Sequence, residues 1–107
     1  MRYRLRRDSN DKDITEAVKL AGFAVIDFCK AGESIPDKLA VRTLHDGTAF
    51  VCWLEIKSKS GRLSEGQRAF RDIWQPRGEW IEARDPEDTV KQLTERYQAK
   101  IRQEHWR

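Results

Sequence analysis

Cysteine, proline and long hydrophobic runs are all scarce in this chain. Its 107 residues include two cysteines and three prolines. So few cysteines exclude a disulfide-based scaffold, and neither Cys29 nor Cys52 belongs to the Cys-x-x-Cys or Cys/His clusters that bind zinc. Both cysteines fall in apolar segments, so we expect them to be reduced residues of the core.

Membrane and targeting segments are also missing. No apolar run approaches the ~20 residues that cross a bilayer, and no signal peptide is recognisable. Repeats, low-complexity tracts and linker-like stretches are absent, and a chain of this length can build one hydrophobic core but not two. We therefore expect a single soluble domain over residues 1–107, located in the cytoplasm.

Charge of one sign is in only small excess. The 21 Lys and Arg residues against 18 Asp and Glu give a net charge of +3, which is weak evidence for a polyanionic partner. Residues 1–9 form a basic arm, and other basic residues surround the candidate site described below. The alternative is that these are ordinary solubilising charges. The residues that we predict to contact nucleic-acid phosphates are Arg6, Arg7, Lys59, Arg62 and Arg68.

Hydrophobic periodicity, caps and turn residues divide the chain into three helices and four strands. Asn10, Ser64 and Asp85 are predicted to cap the helices, and the last helix has a charged end at residues 98–107. The order α-β-β-β-α-β-α predicts an α/β sandwich in which helices flank a central mixed sheet. The predicted ranges are a helix over 10–21, strands over 23–28, 38–43 and 48–57, a helix after 64, a strand over 79–83 and a helix from 86.

The longest predicted strand, residues 48–57, has two apolar faces. Positions 50, 52, 54 and 56 are apolar on one face, and positions 51 and 53 are apolar on the other. A strand that is buried on both faces lies in the middle of its sheet. Glu55 and Lys57 interrupt one face near the end of this strand. Two charged side chains on the same face of a buried strand are costly to bury, which indicates a functional role.

Turn geometry brings a second carboxylate to the same place. If residues 45–47 form the loop of the predicted hairpin, Asp37 lies opposite Glu55, with the two Cβ atoms about 5 Å apart. Side chains alternate along a strand, so Lys57 shares the face of Glu55. One cation could contact both carboxylates, and two carboxylates with water molecules suit Mg²⁺ or Mn²⁺.

Asp37, Glu55 and Lys57 together predict the hydrolysis of phosphodiester bonds. A bound metal lowers the pKa of water, and Lys57 could orient that water and stabilise charge on the phosphoryl group. Glu-x-Lys by itself is common by chance, so the alternative is a Pro-Asp turn followed by ordinary surface charges at a strand end. Asp11 and Asp13 offer a further ligand in the first turn of the first helix, where carboxylates also favour the helix dipole.

Five segments between Arg6 and Val90 extend this pattern. They are residues 6–10, residues 21–27, Gly32 with Pro36-Asp37, residues 54–57 and residues 63–67. In this order and spacing they resemble the PD-(D/E)XK nuclease superfamily, and within it the stand-alone VRR-NUC type of phages and bacteria.

The resemblance implies a restriction-endonuclease-like core and roles for the candidate residues. Lys57 would be the catalytic lysine, and Gln67 an active-site residue on the second helix. Two positions depart from the family pattern: Lys38 stands where an apolar residue is usual, and Glu33 lies in a loop that is often rich in glycine. Both departures could alter substrate choice. The implied metal ligands are Asp37, Glu55, the backbone carbonyl of Ile56 and an acidic residue of the first helix, with Asp13 slightly preferred to Asp11.

The leading expectation is a Mg²⁺- or Mn²⁺-dependent DNA endonuclease of a bacterial or phage-infected cell, selective for branched, flapped or junction DNA. A nuclease that cuts both strands is expected to act as a homodimer. One alternative is a catalytically weak nucleic-acid-binding module that uses the same basic surface. The other is a scaffold subunit that docks through Trp74, Trp80 or Trp106. The intact acidic pair and Lys57 favour the enzyme.

Overall fold

The computed structural model describes residues 10–28, 31–32, 34–58 and 60–105, without the side chains of residues 104 and 105. It is a single α/β domain in which helices flank a four-stranded mixed sheet, and the predicted order of elements is confirmed. The elements are α1 (Asp11–Leu20), β1 (Ala24–Asp27), β2 (Lys38–Thr43), β3 (Ala49–Ile56), α2 (Glu65–Trp74), a 3₁₀ turn (Gln75–Arg77), β4 (Trp80–Ala83) and α3 (Pro86–His105).

The sheet has the strand order β1-β2-β3-β4, so β3 is an interior strand as its two apolar faces predicted. The first three strands are antiparallel neighbours, and β4 pairs parallel to β3 after the crossover through α2. The backbone N–H of Leu44 donates to the carbonyl of Thr48 at 2.7 Å and closes the β2–β3 hairpin. The predicted three-residue loop over residues 45–47 is therefore confirmed.

The main hydrophobic core lies between one face of the sheet and helices α1 and α3. Phe50, Cys52, Leu54 and Ile56 are buried on β3, in the alternation that the sequence predicted. At one end of this core, the Tyr97 ring packs against the rings of Phe23 and Phe50. The Tyr97 hydroxyl donates to the carbonyl of Thr43 at 2.8 Å. The residues that α1 and α3 bury in the core include Ile14, Val18 and Leu93.

Cys52 is a free, buried cysteine of this core, as predicted. Burial raises the pKa of its thiol from 9.0 to about 12, although the nearby Arg96 guanidinium acts in the opposite direction. Cys29 lies outside the described residues. Among the helices that the structure describes, none is long and apolar enough to cross a membrane.

The opposite face of the sheet carries a thinner cover. The Trp53 ring contacts Phe70 and Trp74 of α2 at centroid distances of 5.2 and 6.2 Å, and Phe28 at 5.3 Å. No residue of α2 is fully buried. This face is therefore only partly covered by α2, and it is also the face that carries Glu55.

The caps of the helices agree with the predictions in two of three cases. Ser64 caps α2, and the Asp85 carboxylate accepts the N–H of Asp88 at 2.8 Å at the start of α3. Asn10 occupies the position before α1, but its side chain makes no capping hydrogen bond. Its amide instead donates to the carbonyls of Lys57 and Arg84 at 2.9 and 2.8 Å, where β3 and β4 end. The prediction of an Asn10 side-chain cap was wrong: the two bonds from Nδ2 hold the side chain toward the ends of β3 and β4, and Oδ1 accepts no N–H of α1.

Candidate metal centre

The hairpin register brings Asp37 and Glu55 together. Lys38 pairs with Leu54, and the same register continued by one residue places Asp37 opposite Glu55. The Asp37 carboxylate also accepts the backbone N–H of Ile56 at 3.2 Å, so it lies against the end of β3. The loop length read from the sequence therefore gave the correct partner for Asp37.

Glu55 is a buried residue and not an ordinary surface charge. Its relative exposure is 3%, and its Oε2 accepts a hydrogen bond from Nε2 of Gln67 at 3.3 Å. A buried carboxylate needs polar or cationic partners to offset the loss of hydration. The alternative that Glu55 is a solvated residue at a strand end is therefore contradicted.

Lys57 is held in place by its backbone. Its N–H donates to the carbonyl of Ala83 at 3.0 Å, and its carbonyl accepts from the Asn10 amide. Alternation along the chain places Lys57 on the same side as Glu55, and its side chain is half-buried. Among the described residues, the Lys57 ammonium forms no ion pair.

Gln67 lies in the first turn of α2, directly over the sheet. It belongs to a capping box in which the Ser64 hydroxyl accepts the Gln67 N–H at 3.2 Å and the Gln67 Oε1 accepts the Ser64 N–H at 2.8 Å. The remaining end of its amide contacts Glu55. The structure therefore brings Gln67 to the candidate site, where the resemblance had placed it.

Arg84 supports the segment that follows Lys57. Its guanidinium forms an ion pair with Glu82 and donates to the carbonyls of Ser58 and Gly61, the latter at 2.6 Å. Arg84 is not among the predicted site residues. In the sequence, Arg84 could have been found only from its spacing to Glu82, because residues two positions apart share a face at the end of a strand.

Of the two acidic residues of the first helix, Asp11 has a buried cation of β2 beside it. Asp11 lies 3.5 Å from the Nζ of Lys38, which is 3% exposed and also lies 3.1 Å from Asp27. Lys38, the first residue of β2, directly follows Asp37 and therefore faces the other side of the sheet. Asp13 is exposed. The ion pairs explain why a lysine is tolerated at position 38. The expectation that Asp11 or Asp13 joins the metal ligands stays a prediction.

The donor set fits a hard divalent cation with incomplete protein coordination. In the described residues, no group of three or more His, Cys, Asp and Glu side chains could hold a metal ion. Asp37 and Glu55 supply two carboxylates, and Mg²⁺ is commonly bound by one or two carboxylates with water and substrate phosphate completing the shell. Water and phosphate would therefore have to complete the shell here, with the carbonyl of Ile56 as a predicted further ligand.

Two of the five residues that we predict to contact phosphates lie in the described part of the chain. Arg62 and Arg68 are exposed, and the Arg68 guanidinium donates to the carbonyl of Leu63 at 2.8 Å. Arg62 lies in the segment between Lys57 and α2, and Arg68 lies one residue after Gln67. Arg6 and Arg7, with the rest of the basic arm over 1–9, and Lys59 lie outside the described residues.

Comparison with family models, with curated proteins and with solved structures finds no match to this chain. The resemblance to the PD-(D/E)XK nucleases therefore stays a prediction that rests on the motifs.

Proposed function

We propose that this protein is a metal-dependent nuclease that hydrolyses phosphodiester bonds in DNA. The observation that carries the proposal is the placement of Asp37 opposite the buried Glu55, with Gln67 on Glu55 and Lys57 on the same side of the sheet. Two facing carboxylates with a lysine on the same side form a donor set that suits a divalent cation bridging to a phosphate.

Each residue of the site would have a distinct role in phosphodiester hydrolysis. A bound Mg²⁺ or Mn²⁺ would neutralise phosphate charge and make an attacking water more acidic. Asp37 and Glu55 would hold that ion, and Gln67 would hold Glu55. Lys57 would donate to the attacking water or to the phosphoryl oxygens, where negative charge grows in the transition state.

The substrate and assembly in this proposal rest on the resemblance to the PD-(D/E)XK nucleases, and the exposed arginines near the site agree with a DNA substrate. Arg62, in the segment before α2, and Arg68, one residue after Gln67, are exposed, and we propose that they contact DNA phosphates. We propose branched, flapped or junction DNA as the preferred substrate and a homodimer as the active form, in the cytoplasm of a bacterial or phage-infected cell. Sedimentation in the presence of a four-way junction would report the stoichiometry directly.

A cleavage panel tests the function. Linear, nicked, flapped and four-way DNA would be incubated with the protein and Mg²⁺, Mn²⁺ or EDTA. We expect cleavage with either metal and none with EDTA. Binding to these DNAs without cleavage under any metal condition would instead indicate a nucleic-acid-binding module.

The Lys57→Ala variant tests the assignment of the site. We expect it to lower the cleavage rate by about 10²–10³-fold, the usual loss when a donor to a transition-state charge is removed. Its DNA affinity should change little, because that charge develops only during the reaction. Lys91→Ala, an exposed lysine on α3, is the matched control. Cleavage by Lys57→Ala at the wild-type rate would move the catalytic role to another residue.

A further inference from the structure

The capping box of α2 and the candidate metal centre share one side chain. The two ends of the Gln67 amide bind different groups: Oε1 accepts the Ser64 backbone N–H at 2.8 Å, and Nε2 donates to Glu55 at 3.3 Å. The Ser64 hydroxyl completes the box by accepting the Gln67 N–H. One turn of helix therefore connects the start of α2 to a buried carboxylate.

The two ends of an amide are chemically different, and this difference makes the connection directional. An ionised carboxylate only accepts hydrogen bonds, so Nε2 of Gln67 must face Glu55. A backbone N–H only donates, so the Ser64 N–H binds Oε1 and disfavours the flipped amide. In the flipped form, an amide oxygen would face the carboxylate oxygen and the two would repel.

We infer that Ser64 is a positioning residue for Glu55. Its backbone N–H fixes which end of the Gln67 amide faces the carboxylate, and its hydroxyl fixes the turn of helix that carries Gln67. Glu55 is thereby held at Oε2 on the strand position opposite Asp37. The metal-binding consequence rests on the proposed function, whereas the orientation of the Gln67 amide does not.

Two substitutions at one position separate the two contacts of Ser64. Ser64→Ala removes the hydroxyl and keeps the backbone N–H, whereas Ser64→Pro removes both. The backbone angle φ at Ser64 is −72°, which proline adopts without strain. Ser64→Thr keeps both groups and should behave as wild type.

Calorimetric titration of Mn²⁺ into these variants measures the metal-binding consequence. We expect Ser64→Thr to stay within about twofold of the wild-type affinity and Ser64→Pro to bind at least about tenfold more weakly, with Ser64→Ala between them. Residues that orient a metal ligand typically change affinity by about 10–100-fold. In a Gln67→Ala background, Ser64→Pro should cause little further loss, since its effect passes through Gln67.

A control separates positioning from a general loss of stability. Tyr97→Phe removes the hydrogen bond to Thr43 at the far end of β2 and should destabilise the fold without changing Mn²⁺ affinity. Wild-type affinity in Ser64→Pro would overturn the inference. So would an equal loss in Tyr97→Phe, or an undiminished effect of Ser64→Pro in the Gln67→Ala background.

A second measurement does not depend on metal or nuclease activity. In ¹H–¹⁵N spectra of the metal-free protein, the side-chain amide signals of Gln67 should move in Glu55→Ala and in Ser64→Pro, and stay in place in Ser64→Thr. If wild type binds no Mn²⁺ but these shifts occur, the proposed function fails and the positioning role stands. Unchanged Gln67 signals in Ser64→Pro would remove the positioning role itself.

Discussion

The stability of the protein with and without metal is the most direct test of the acidic pair. A ligand that binds only the folded state stabilises it by RT ln(1 + [L]/Kd), which is about 2.7 kcal/mol when Mn²⁺ is present at 100 times its Kd. For a domain of this size, 1 kcal/mol corresponds to about 4 °C in Tm. We therefore expect wild type to gain about 11 °C under that condition.

Glu55→Gln is the perturbation that isolates the carboxylate. The amide keeps the shape of the side chain and can still accept the hydrogen bond from Gln67, while it removes one of two facing negative charges. Without metal, its stability should lie within about 1 kcal/mol of wild type. If its affinity for Mn²⁺ falls about 100-fold, the same metal concentration stabilises it by only about 0.4 kcal/mol, or less than about 2 °C.

Thermal unfolding followed by circular dichroism gives the Tm of wild type and of Glu55→Gln, each with Mn²⁺ and with EDTA. Glu95→Gln is the matched control, because Glu95 is exposed on α3 and loses the same charge. This control should gain as much from Mn²⁺ as wild type does. An equal metal-induced gain in Glu55→Gln and wild type would refute the assignment of Glu55 as a ligand.

Three further predictions concern the surroundings of the site and the core. Gly66→Ala should gain less than the about 1 kcal/mol usual for a helical Gly→Ala change, because the new Cβ would meet Ser34 Oγ and lie 3.1 Å from Ser34 Cβ. Adding Ser34→Gly should recover the missing gain in urea unfolding, and a full gain in Gly66→Ala alone would contradict this contact. Lys38→Ala should cost about 3 kcal/mol or more in the same assay, because it leaves Asp11 without this buried cation; a cost below about 1 kcal/mol would show that the ion pairs contribute little. In a Cys29→Ser background, Cys52 should react with a thiol reagent only on unfolding, and rapid labelling of the native protein would contradict this. Because the pKa of Cys52 is raised in the folded state, its contribution to stability should be complete below pH 9 and be lost as pH rises toward about 12.

The pairing of Asp37 with Glu55 could be predicted from the sequence because it depends on local rules. The length of the loop over residues 45–47 fixes the hairpin register, and the alternation of side chains fixes the face. The capping box of α2 could be predicted for the same reason, since Ser64 and Gln67 stand three residues apart. Each of these features is set within a short stretch of chain or between two adjacent strands.

The tertiary structure decided how the remaining polar groups are paired. Asp11 and Asn10 both had a sensible local role at the start of α1, in the helix dipole and as a cap. In the folded protein, Asp11 lies beside Lys38 of β2, and the Asn10 amide bridges the ends of β3 and β4. Arg84 likewise binds carbonyls more than twenty residues away. Hydrophobic periodicity and turn length can be recognised within a short stretch of sequence. The partner of a buried donor or acceptor depends instead on which groups the tertiary packing brings within hydrogen-bond distance.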